Sequence, residues 1–338
     1  MKKLNTICMA LAAAGLFSAG TAQASLTAFQ TYVGKVGYST DGFGSTGQTG
    51  TISASVPVGS TVLAAYLYTS AFSNASLSGV NGTTFNGNAV SFSSLGTNTD
   101  ACCSLTAGRT DVTSIVKAII DGGAGGVYDF SIVESSGNQD GEALVVVYSN
   151  PTLGTSTVGI LDGFANVTGD TTSINFNAPL HPAALGFSAE MALGIGFSFD
   201  GSNCIGNGQV SKVTVNGTLI TNNAGCNDDS VNGASNGNLI TVGGYDDPFS
   251  ALLPATENDH ERYNLVPYIT DGATTIKIDN SNASLNDNIF LAVVKVTGEG
   301  GVNKPPPPPS DLPEPGSLAL AGLALAGLGG LRRKSKRA

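Results

Sequence analysis

Short apolar runs separated by turn residues dominate the middle of the chain. Three of them are especially clear: Val62–Tyr68, Ala143–Tyr148 and Ile289–Val294. Each is rich in β-branched or aromatic residues and lacks the 3.6-residue period of an amphipathic helix. The pattern predicts an all-β body in which only residues 111–121 favour a short helix or helical turn.

The two halves of this body repeat one order of elements. An Arg-Thr-Asp-Val-Thr segment beginning at Arg109 has a counterpart, Arg-Tyr-Asn-Leu-Val, that begins at Arg262. Upstream of each segment the sequence predicts an Asn-Gly hairpin, at Val80-Asn81-Gly82 and at Val215-Asn216-Gly217. The repeat indicates an internal duplication; the alternative is one elaborate sandwich whose halves are similar by chance.

This order of strands, hairpin and paired strands resembles jelly-roll β-sandwiches, which include carbohydrate-binding and adhesive modules. We therefore expect two tandem β-sandwich domains, at residues 25–150 and 151–299. The boundary is expected at Pro151, because proline cannot continue a buried strand. Residues 300–312 are expected to form a linker, and its five consecutive prolines span about 15 Å as polyproline II.

The first 24 residues have the layout of an export signal. Lys2 and Lys3 precede the apolar run Ile7–Phe17, and small residues follow up to Ala22 and Ala24. The pattern predicts cleavage by signal peptidase after Ala24. A transmembrane helix is the alternative reading, but this apolar run is short and no basic stop follows it.

Residues 313–338 have the layout of a tail that enters a membrane. The triplet Pro313-Glu314-Pro315 precedes an uncharged stretch, residues 316–331, and then a basic cluster of Arg332, Arg333, Lys334, Lys336 and Arg337. Basic residues after an apolar run stay on the cytoplasmic side. A helix over Leu318–Leu331 would be about 21 Å long, short of the roughly 30 Å hydrocarbon core. We expect a single transmembrane sorting helix that acts as a temporary anchor.

The triplet, the short Gly/Ala/Leu helix and the Arg-rich end together resemble the PEP-CTERM sorting signal. The resemblance implies recognition by an exosortase and an inner-membrane intermediate. It also implies removal of the tail near the triplet and delivery to the cell surface or extracellular matrix of a Gram-negative bacterium. It indicates the localisation of the protein and says nothing of the activity of its body.

The expected exported part is strongly acidic. Residues 25–311 contain eight basic and 24 acidic residues, which gives a formal charge of −16. Such a surface repels phosphate backbones and anionic lipids. Nucleic acid is therefore not an expected partner.

Four cysteines remain after cleavage of the signal. An even number of cysteines in an exported chain predicts disulfides. Cys204 and Cys226 flank one hairpin-like segment and are the expected pair, with Cys102 and Cys103 as a strained vicinal ring or paired elsewhere. The two histidines lie far from any Cys-x-x-Cys pattern, so a zinc site is not expected.

Acidic residues gather in the second half of the chain. Carboxylate and amide oxygens are the ligands of Ca²⁺, and the candidate ligands are Asp228, Asp229, Asp246, Asp247 and Asp259. The alternative is that these residues form turns and carry solvated charge. Apart from this possible Ca²⁺, no cofactor is expected.

Two arginines occupy matched places in the halves. Arg109 is expected to pair with Asp111, and Arg262 with Glu261 or Asp259, each locking a corner of a sandwich. A ligand-binding arginine is the alternative.

Catalytic groups are sparse in the sequence. His181 precedes a proline and His260 sits in an acidic loop, so neither fits a nucleophilic triad. No phosphate-binding Gly-rich loop with a Lys is present. The expected protein is not an enzyme, although paired carboxylates for glycoside hydrolysis depend on three-dimensional spacing.

These observations predict a structural or adhesive surface protein associated with exopolysaccharide or biofilm. The first alternative is a glycan-binding module. The sequence has no Trp, so sugar stacking would fall to tyrosines such as Tyr38, Tyr66, Tyr245 and Tyr263. The second alternative, a polysaccharide-active enzyme, needs two carboxylates in a cleft.

Overall fold

The computed structural model describes residues 25–44, 47–72, 77–98, 105–166, 168–196, 211–225, 239–255, 258–282 and 288–304. In this part of the chain the regular structure is almost entirely β, arranged in four sheets. The all-β prediction is confirmed. No helix within these ranges has the length and apolar character needed to cross a membrane.

The first half of the body forms two sheets around one core. In spatial order, sheet 1 contains β2 (Val36–Phe43), β10 (Gln139–Ser149), β4 (Thr61–Ala71), β8 (Leu105–Asp111) and β7 (Ser93–Asn98). Sheet 2 contains β3 (Thr49–Val56), β9 (Gly126–Val133), β5 (Thr84–Phe85) and β6 (Asn88–Ala89). The strand pairs in both sheets are antiparallel.

The second half forms two more sheets. Sheet 3 contains β1 (Thr27–Gly34), β11 (Ser156–Asp162), β19 (Asn288–Thr297), β13 (Ala189–Gly196), β16 (Thr241–Val242) and β17 (Arg262–Asn264), the last two both paired with β13. Sheet 4 contains β15 (Thr218–Ala224), β14 (Ser211–Val215), β18 (Thr275–Asn282), β12 (Asp170–Phe176) and β20 (Gly300–Val302).

The strand orders of the two halves correspond. Sheet 1 runs β2-β10-β4-β8, and sheet 3 runs β11-β19-β13-β17. Each strand of sheet 1 in this series therefore corresponds to the strand of sheet 3 whose number is higher by nine, as β2 does to β11. The same shift relates β3-β9-β5-β6 of sheet 2 to β12-β18-β14-β15 of sheet 4. This agreement supports the internal duplication. Strands β1 and β20 are additions at the edges of sheets 3 and 4.

Three apolar cores separate the four sheets. One lies between sheets 1 and 2, one between sheets 3 and 4, and the third between the inner sheets 1 and 3. Strand β10 is buried on both faces, because Val146 belongs to the first core and Val145 and Val147 belong to the third. That double burial explains the continuous apolar run at residues 143–148, which has no polar alternation.

The predicted helix is present as α2, Thr113–Ile120. Asp111 accepts a hydrogen bond from the backbone N–H of Thr113 at 2.8 Å, which satisfies a donor at the helix start. In the second half Asn264 accepts from Val266 at 3.1 Å at the start of the 3₁₀ turn Val266–Tyr268. The matched segments noticed in the sequence therefore share this side chain-to-backbone hydrogen bond as well as a position.

Only one of the two predicted Asn-Gly hairpins is correct. Asn216 and Gly217, with φ of 48° and 84°, join β14 to β15. In the first half, the short helix α1 (Leu77–Val80) ends where a hairpin was predicted at Asn81-Gly82. The hairpin uses the next Asn-Gly, Asn86 and Gly87, with φ of 48° and 75°. An Asn-Gly pair also favours the end of a helix, and the dipeptide alone does not distinguish the two uses.

Strand β1 connects the halves. Although it precedes β2 in the chain, it pairs antiparallel with β11 in sheet 3. The chain passes from β10 to β11 through residues 150–155, close to the expected boundary. Independent folding of residues 25–150 and 151–299 stays a prediction. Residues 300–302, assigned to the linker from the sequence, instead form β20 beside β12.

Candidate functional site

The residues named for signal cleavage, sorting and disulfides, and two of the calcium candidates, lie outside the described ranges. They are Ala22, Ala24, Cys102, Cys103, Cys204, Cys226, Asp228, Asp229, Pro313, Glu314, Pro315, Arg332, Arg333, Lys334, Lys336 and Arg337. The structure does show the last residues before the Pro-rich segment. Asn303 donates its backbone N–H to the carbonyl of Ser173 at 2.7 Å, and the Asn175 amide donates to the carbonyl of Lys304 at 3.0 Å. The chain therefore leaves the body at the edge of sheet 4.

A groove of about 740 Å³ lies at one end of the second half. One wall is the connection from β12 to β13, residues 177–188, and another is residues 297–299, which comprise the last residue of β19 and the link to β20. The corresponding connection in the first half, from β3 to β4, has only residues 57–60. The groove is thus built by a loop that one copy of the duplicated plan has and the other lacks.

The loop that forms this groove is fixed by hydrogen bonds to neighbouring segments. Leu180 donates its N–H to the carbonyl of Ala273 and accepts from the N–H of Gly272, both at 2.8 Å. Ser188 donates its N–H to Thr297 Oγ1 at 3.0 Å. Because these bonds tie both ends of the loop, the groove is preformed.

The groove surface is mainly apolar with a few polar groups. Pro179, Leu180 and Phe187 line it, and the Leu185 side chain is fully exposed to solvent. Glu299 accepts a long hydrogen bond of 3.4 Å from the Asn177 amide. The lining contains no Lys or Arg among the residues that the structure describes. A neutral or cationic ligand with an apolar face fits this chemistry better than an anionic one.

Beside the groove, His181 Nδ1 lies 3.0 Å from a carboxylate oxygen of Asp271. Both side chains are largely exposed. The pair therefore lacks the buried carboxylate that orients a catalytic histidine in a triad. Within the described ranges we find no nucleophile hydrogen-bonded to His181.

The first arginine pairs with a different residue from the one expected. Arg109 forms an ion pair with Asp162 of β11, in place of Asp111 on its own strand. Tyr68 donates its hydroxyl to the same carboxylate at 3.2 Å, and the Arg109 guanidinium lies 3.4 Å from the ring centre of Phe29. Burial raises the pKa of Asp162 and Arg109 opposes that rise. The pairing joins sheets 1 and 3, which the sequence could not place together.

The second arginine also departs from the prediction. Arg262 lies 3.5 Å from Glu190 and donates to the carbonyls of Tyr245 and Asp247 at 2.9 and 2.8 Å. Phe249 covers it, with a distance of 4.6 Å to the ring centre. Neither Glu261 nor Asp259 is its partner, because Glu261 accepts from the N–H of Gly225 and Asp259 accepts from the hydroxyl of Tyr263, both at 2.8 Å. Arg262 therefore anchors residues 245–247 of the loop that precedes β17.

The calcium candidates that can be located fall in two places. A Cβ built on Gly244 would lie 2.9 Å from Asp246 Oδ1, 3.1 Å from Asp247 Oδ2 and 3.6 Å from Asp41 Oδ1, so three carboxylates converge there. Burial, reinforced by the charges of Asp246 and Asp247, raises the pKa of Asp41 to about 7.

Asp259 is buried elsewhere, where Tyr263 donates to it at 2.8 Å and Ser250 at 3.0 Å. No group of three or more His, Cys, Asp or Glu in the described ranges has an arrangement that could hold a metal ion. Calcium stays a prediction. A comparison of melting temperatures in chelator and in millimolar Ca²⁺ tests it.

Sequence reasoning missed a buried pair of carboxyl groups. Glu134 and Glu142 contact each other, and within the part of the chain that the structure describes neither Glu134 Oε1 nor Glu142 Oε2 has another hydrogen-bond partner. Burial raises the pKa of Glu134 to about 8 and that of Glu142 well above its usual range. Gln139 donates to the other Glu142 oxygen at 2.6 Å. Since the Glu142 side chain is inaccessible to solvent, the pair cannot act on a polysaccharide.

The four tyrosines named for sugar stacking do not form an exposed platform. Tyr66 and Tyr263 are buried, and Tyr38 and Tyr245 are only partly exposed. The Tyr66 hydroxyl lies 3.0 Å from that of Tyr32, and the Tyr66 ring contacts Phe29 edge-on. Tyr66 thus packs sheet 1 against β1. A glycan site would have to use other side chains.

Comparison with known proteins gives one informative match. Residues 311–334 match the family model described as the PEP-CTERM protein-sorting motif. A search of curated proteins found no match.

Two solved structures are distantly similar to the chain. The structure of BuGH86wt in complex with neoagarooctaose is 10% identical, over 84% of this chain and 34% of that chain, with a TM-score of 0.20. The structure of BpGH86A, a β-porphyranase of glycoside hydrolase family 86 from the human gut bacterium Bacteroides plebeius, is 10% identical, over 82% of this chain and 36% of that chain, with a TM-score of 0.15. The chain spans about a third of these proteins, and similarity at this level says nothing of activity.

Proposed function

Because the chain carries the PEP-CTERM protein-sorting motif at residues 311–334, we propose that it is an exported structural or adhesive protein of the cell surface or extracellular matrix. An exosortase removes the tail from a transient inner-membrane intermediate, after signal peptidase has removed residues 1–24. The body then associates with exopolysaccharide and contributes to a biofilm. Two tandem jelly-roll sandwiches form that body.

The matched strand orders of sheets 1 and 3, and of sheets 2 and 4, support the jelly-roll assignment. In this architecture eight strands form two facing sheets through Greek-key connections. The four layers and three apolar cores give a large, compact body suited to a structural role. The exposure of the His181–Asp271 pair and the burial of the Glu134–Glu142 pair support a non-catalytic assignment.

Substitutions in the motif test the sorting proposal. We expect Glu314→Ala combined with Pro315→Ala to leave the tail attached and the protein in the membrane fraction. A matched control, Pro306→Ala, lies in the Pro-rich segment outside the matched residues and should leave processing unchanged. Normal release of the double variant would contradict the proposal.

A glycan-binding module is the second candidate, and the groove is the observation that favours it. Its apolar surface can pack against the carbon face of a sugar, while Glu299 and Asn177 offer polar contacts. The acidic body favours neutral over anionic polysaccharides.

Affinity measurements with neutral and uronic-acid polysaccharides test this candidate. Leu185→Ser should weaken binding of the neutral polymer, because Leu185 lies on the groove. Val58→Ser provides the matched control, since Val58 is exposed on the corresponding short turn of the first half. Equal effects of the two substitutions would contradict a groove-specific site.

A further inference from the structure

The residues that follow the expected cleavage point are packed and hydrogen-bonded against the body. Leu26 is only 4% exposed and belongs to the core between sheets 3 and 4. Its backbone N–H donates to Asp170 Oδ2 at 3.2 Å, and the N–H of Asn166 donates to the same oxygen at 2.7 Å. Two backbone amides therefore converge on the Asp170 carboxylate.

Ser25 is held by a close backbone contact. A Cβ built on Gly163 would clash with the carbonyl oxygen of Ser25, so no other side chain fits there. Gly163 also has a φ of 126°, which L-residues rarely adopt. A glycine at this position lets the chain start pass directly over the turn after β11. The backbone of Ser25 is thus held beside Leu26, whose N–H donates to Asp170.

Cleavage changes the charge at this position. Hydrolysis of the bond between Ala24 and Ser25 consumes one water molecule, leaving a carboxylate on the leader and an α-amino group on Ser25. At neutral pH this amino group is largely protonated, and it is adjacent in the backbone to the Leu26 nitrogen. Lys212 and Asp279 face the same small polar groove as Asp170. Within the described ranges, no Lys or Arg lies within 4.0 Å of the Asp170 carboxylate.

We propose that Asp170 is the receptor for the α-ammonium group that signal-peptide removal creates at Ser25. The resulting ion pair fixes the start of β1. Before cleavage the Ser25 nitrogen belongs to a neutral peptide bond, so this ion pair is absent. Strand β1 pairs with β11 and packs on sheet 1 through Phe29 and Tyr32. Removal of the signal peptide therefore strengthens the contact between the two halves.

The pKa of the α-amino group tests this proposal in the exported protein. Intact mass first establishes that the chain begins at Ser25. The pH dependence of amine acylation, followed on the N-terminal peptide by mass spectrometry, then gives the pKa. We expect a value clearly above the usual 7.7 to 8.0. Asp170→Asn should return the pKa to that range and lower the melting temperature by roughly 2 to 4 °C.

A second variant avoids changing any side chain. One Gly inserted between Ala24 and Ser25 moves the ammonium group away from Asp170 and should lower both the pKa and the melting temperature. Asp279→Asn, which removes a carboxylate from the same groove, is the control and should leave the α-amine pKa unchanged. A normal pKa in the parent protein, a chain that begins elsewhere, or an equal effect of Asp279→Asn would overturn the proposal.

Discussion

Arg109 on β8 forms an ion pair with Asp162 on β11, so a cation from sheet 1 meets a carboxylate from sheet 3. The pair lies beside the apolar core that joins the two inner sheets, and Tyr68 donates a further hydrogen bond to the carboxylate. The two halves are therefore held by a polar contact as well as by apolar packing.

Arg109→Ala should lower the free energy of unfolding by roughly 2 to 4 kcal/mol. The substitution leaves Asp162, which is almost inaccessible to solvent, without its cation. Urea unfolding measures the loss. The control is Lys277→Ala, which removes a largely exposed pair with Asp279 and should cost about 0 to 1 kcal/mol. Equal losses in the two variants would show that Arg109 contributes no more than a surface charge.

The Glu134–Glu142 pair predicts a protein that becomes more stable as the pH falls from about 8 to about 4.5. Burial raises the pKa of Glu134 to about 8, whereas the unfolded value is near 4.5. The folded state therefore binds more protons in this window, and its stability decreases as the pH rises through it. We expect a change of roughly 2 to 4 kcal/mol across the window.

Glu142→Gln tests this assignment. The amide cannot ionise, yet its oxygen can still accept from Gln139 and its NH₂ can donate to Glu134. The variant should show a shallower pH dependence and at least the parent's stability at pH 8. Asp129→Asn, an exposed site on β9, should leave the slope unchanged. An unaltered slope in Glu142→Gln would contradict the assignment.

The two Asn-Gly turns give a paired test of the duplication. Gly87 and Gly217 have φ of 75° and 84° in hairpins at corresponding positions. Either glycine replaced by alanine should destabilise the protein by about 1 kcal/mol, since a Cβ disfavours this backbone conformation. Gly82, which follows α1, has a different φ of 132° and is therefore not part of this comparison. Chemical denaturation of the two variants checks whether both turns contribute similarly, and a neutral result at one of them would contradict their equivalence.

The predicted Cys204–Cys226 disulfide calls for a direct thiol count. Under denaturing, non-reducing conditions we expect no more than two free thiols in the exported protein. Cys204→Ser should expose one additional thiol, that of Cys226. Four free thiols in the parent would contradict the prediction.

The sequence predicts the secondary-structure elements better than it predicts their burial and their contacts. The apolar run that became β10 was recognisable as a strand, but its burial between two cores follows from the stacking of sheets 1 and 3. The Asn-Gly dipeptide predicted the turn at Asn216 and misled at Asn81, where it ends a helix. The partner of Arg109 lies 53 residues away in the chain, beyond the reach of local patterns.

The carboxyl pair escaped prediction for the same reason. Glu142 sits in a Gln-Asp-Gly-Glu stretch that reads as an exposed turn, because composition cannot reveal which sheet will cover it. By contrast, the sorting tail was recognisable from the sequence because its signal is a linear order of residue types. A sorting signal of this kind needs no tertiary contacts, whereas a buried polar site is defined by its tertiary contacts.

The intact mass and location of the protein, in hosts with and without a functional exosortase, test the central claim most directly. The claim predicts a shorter protein that has lost its tail and reached the surface or medium only in the competent host. A tail retained in both hosts would contradict it and leave a membrane-anchored protein.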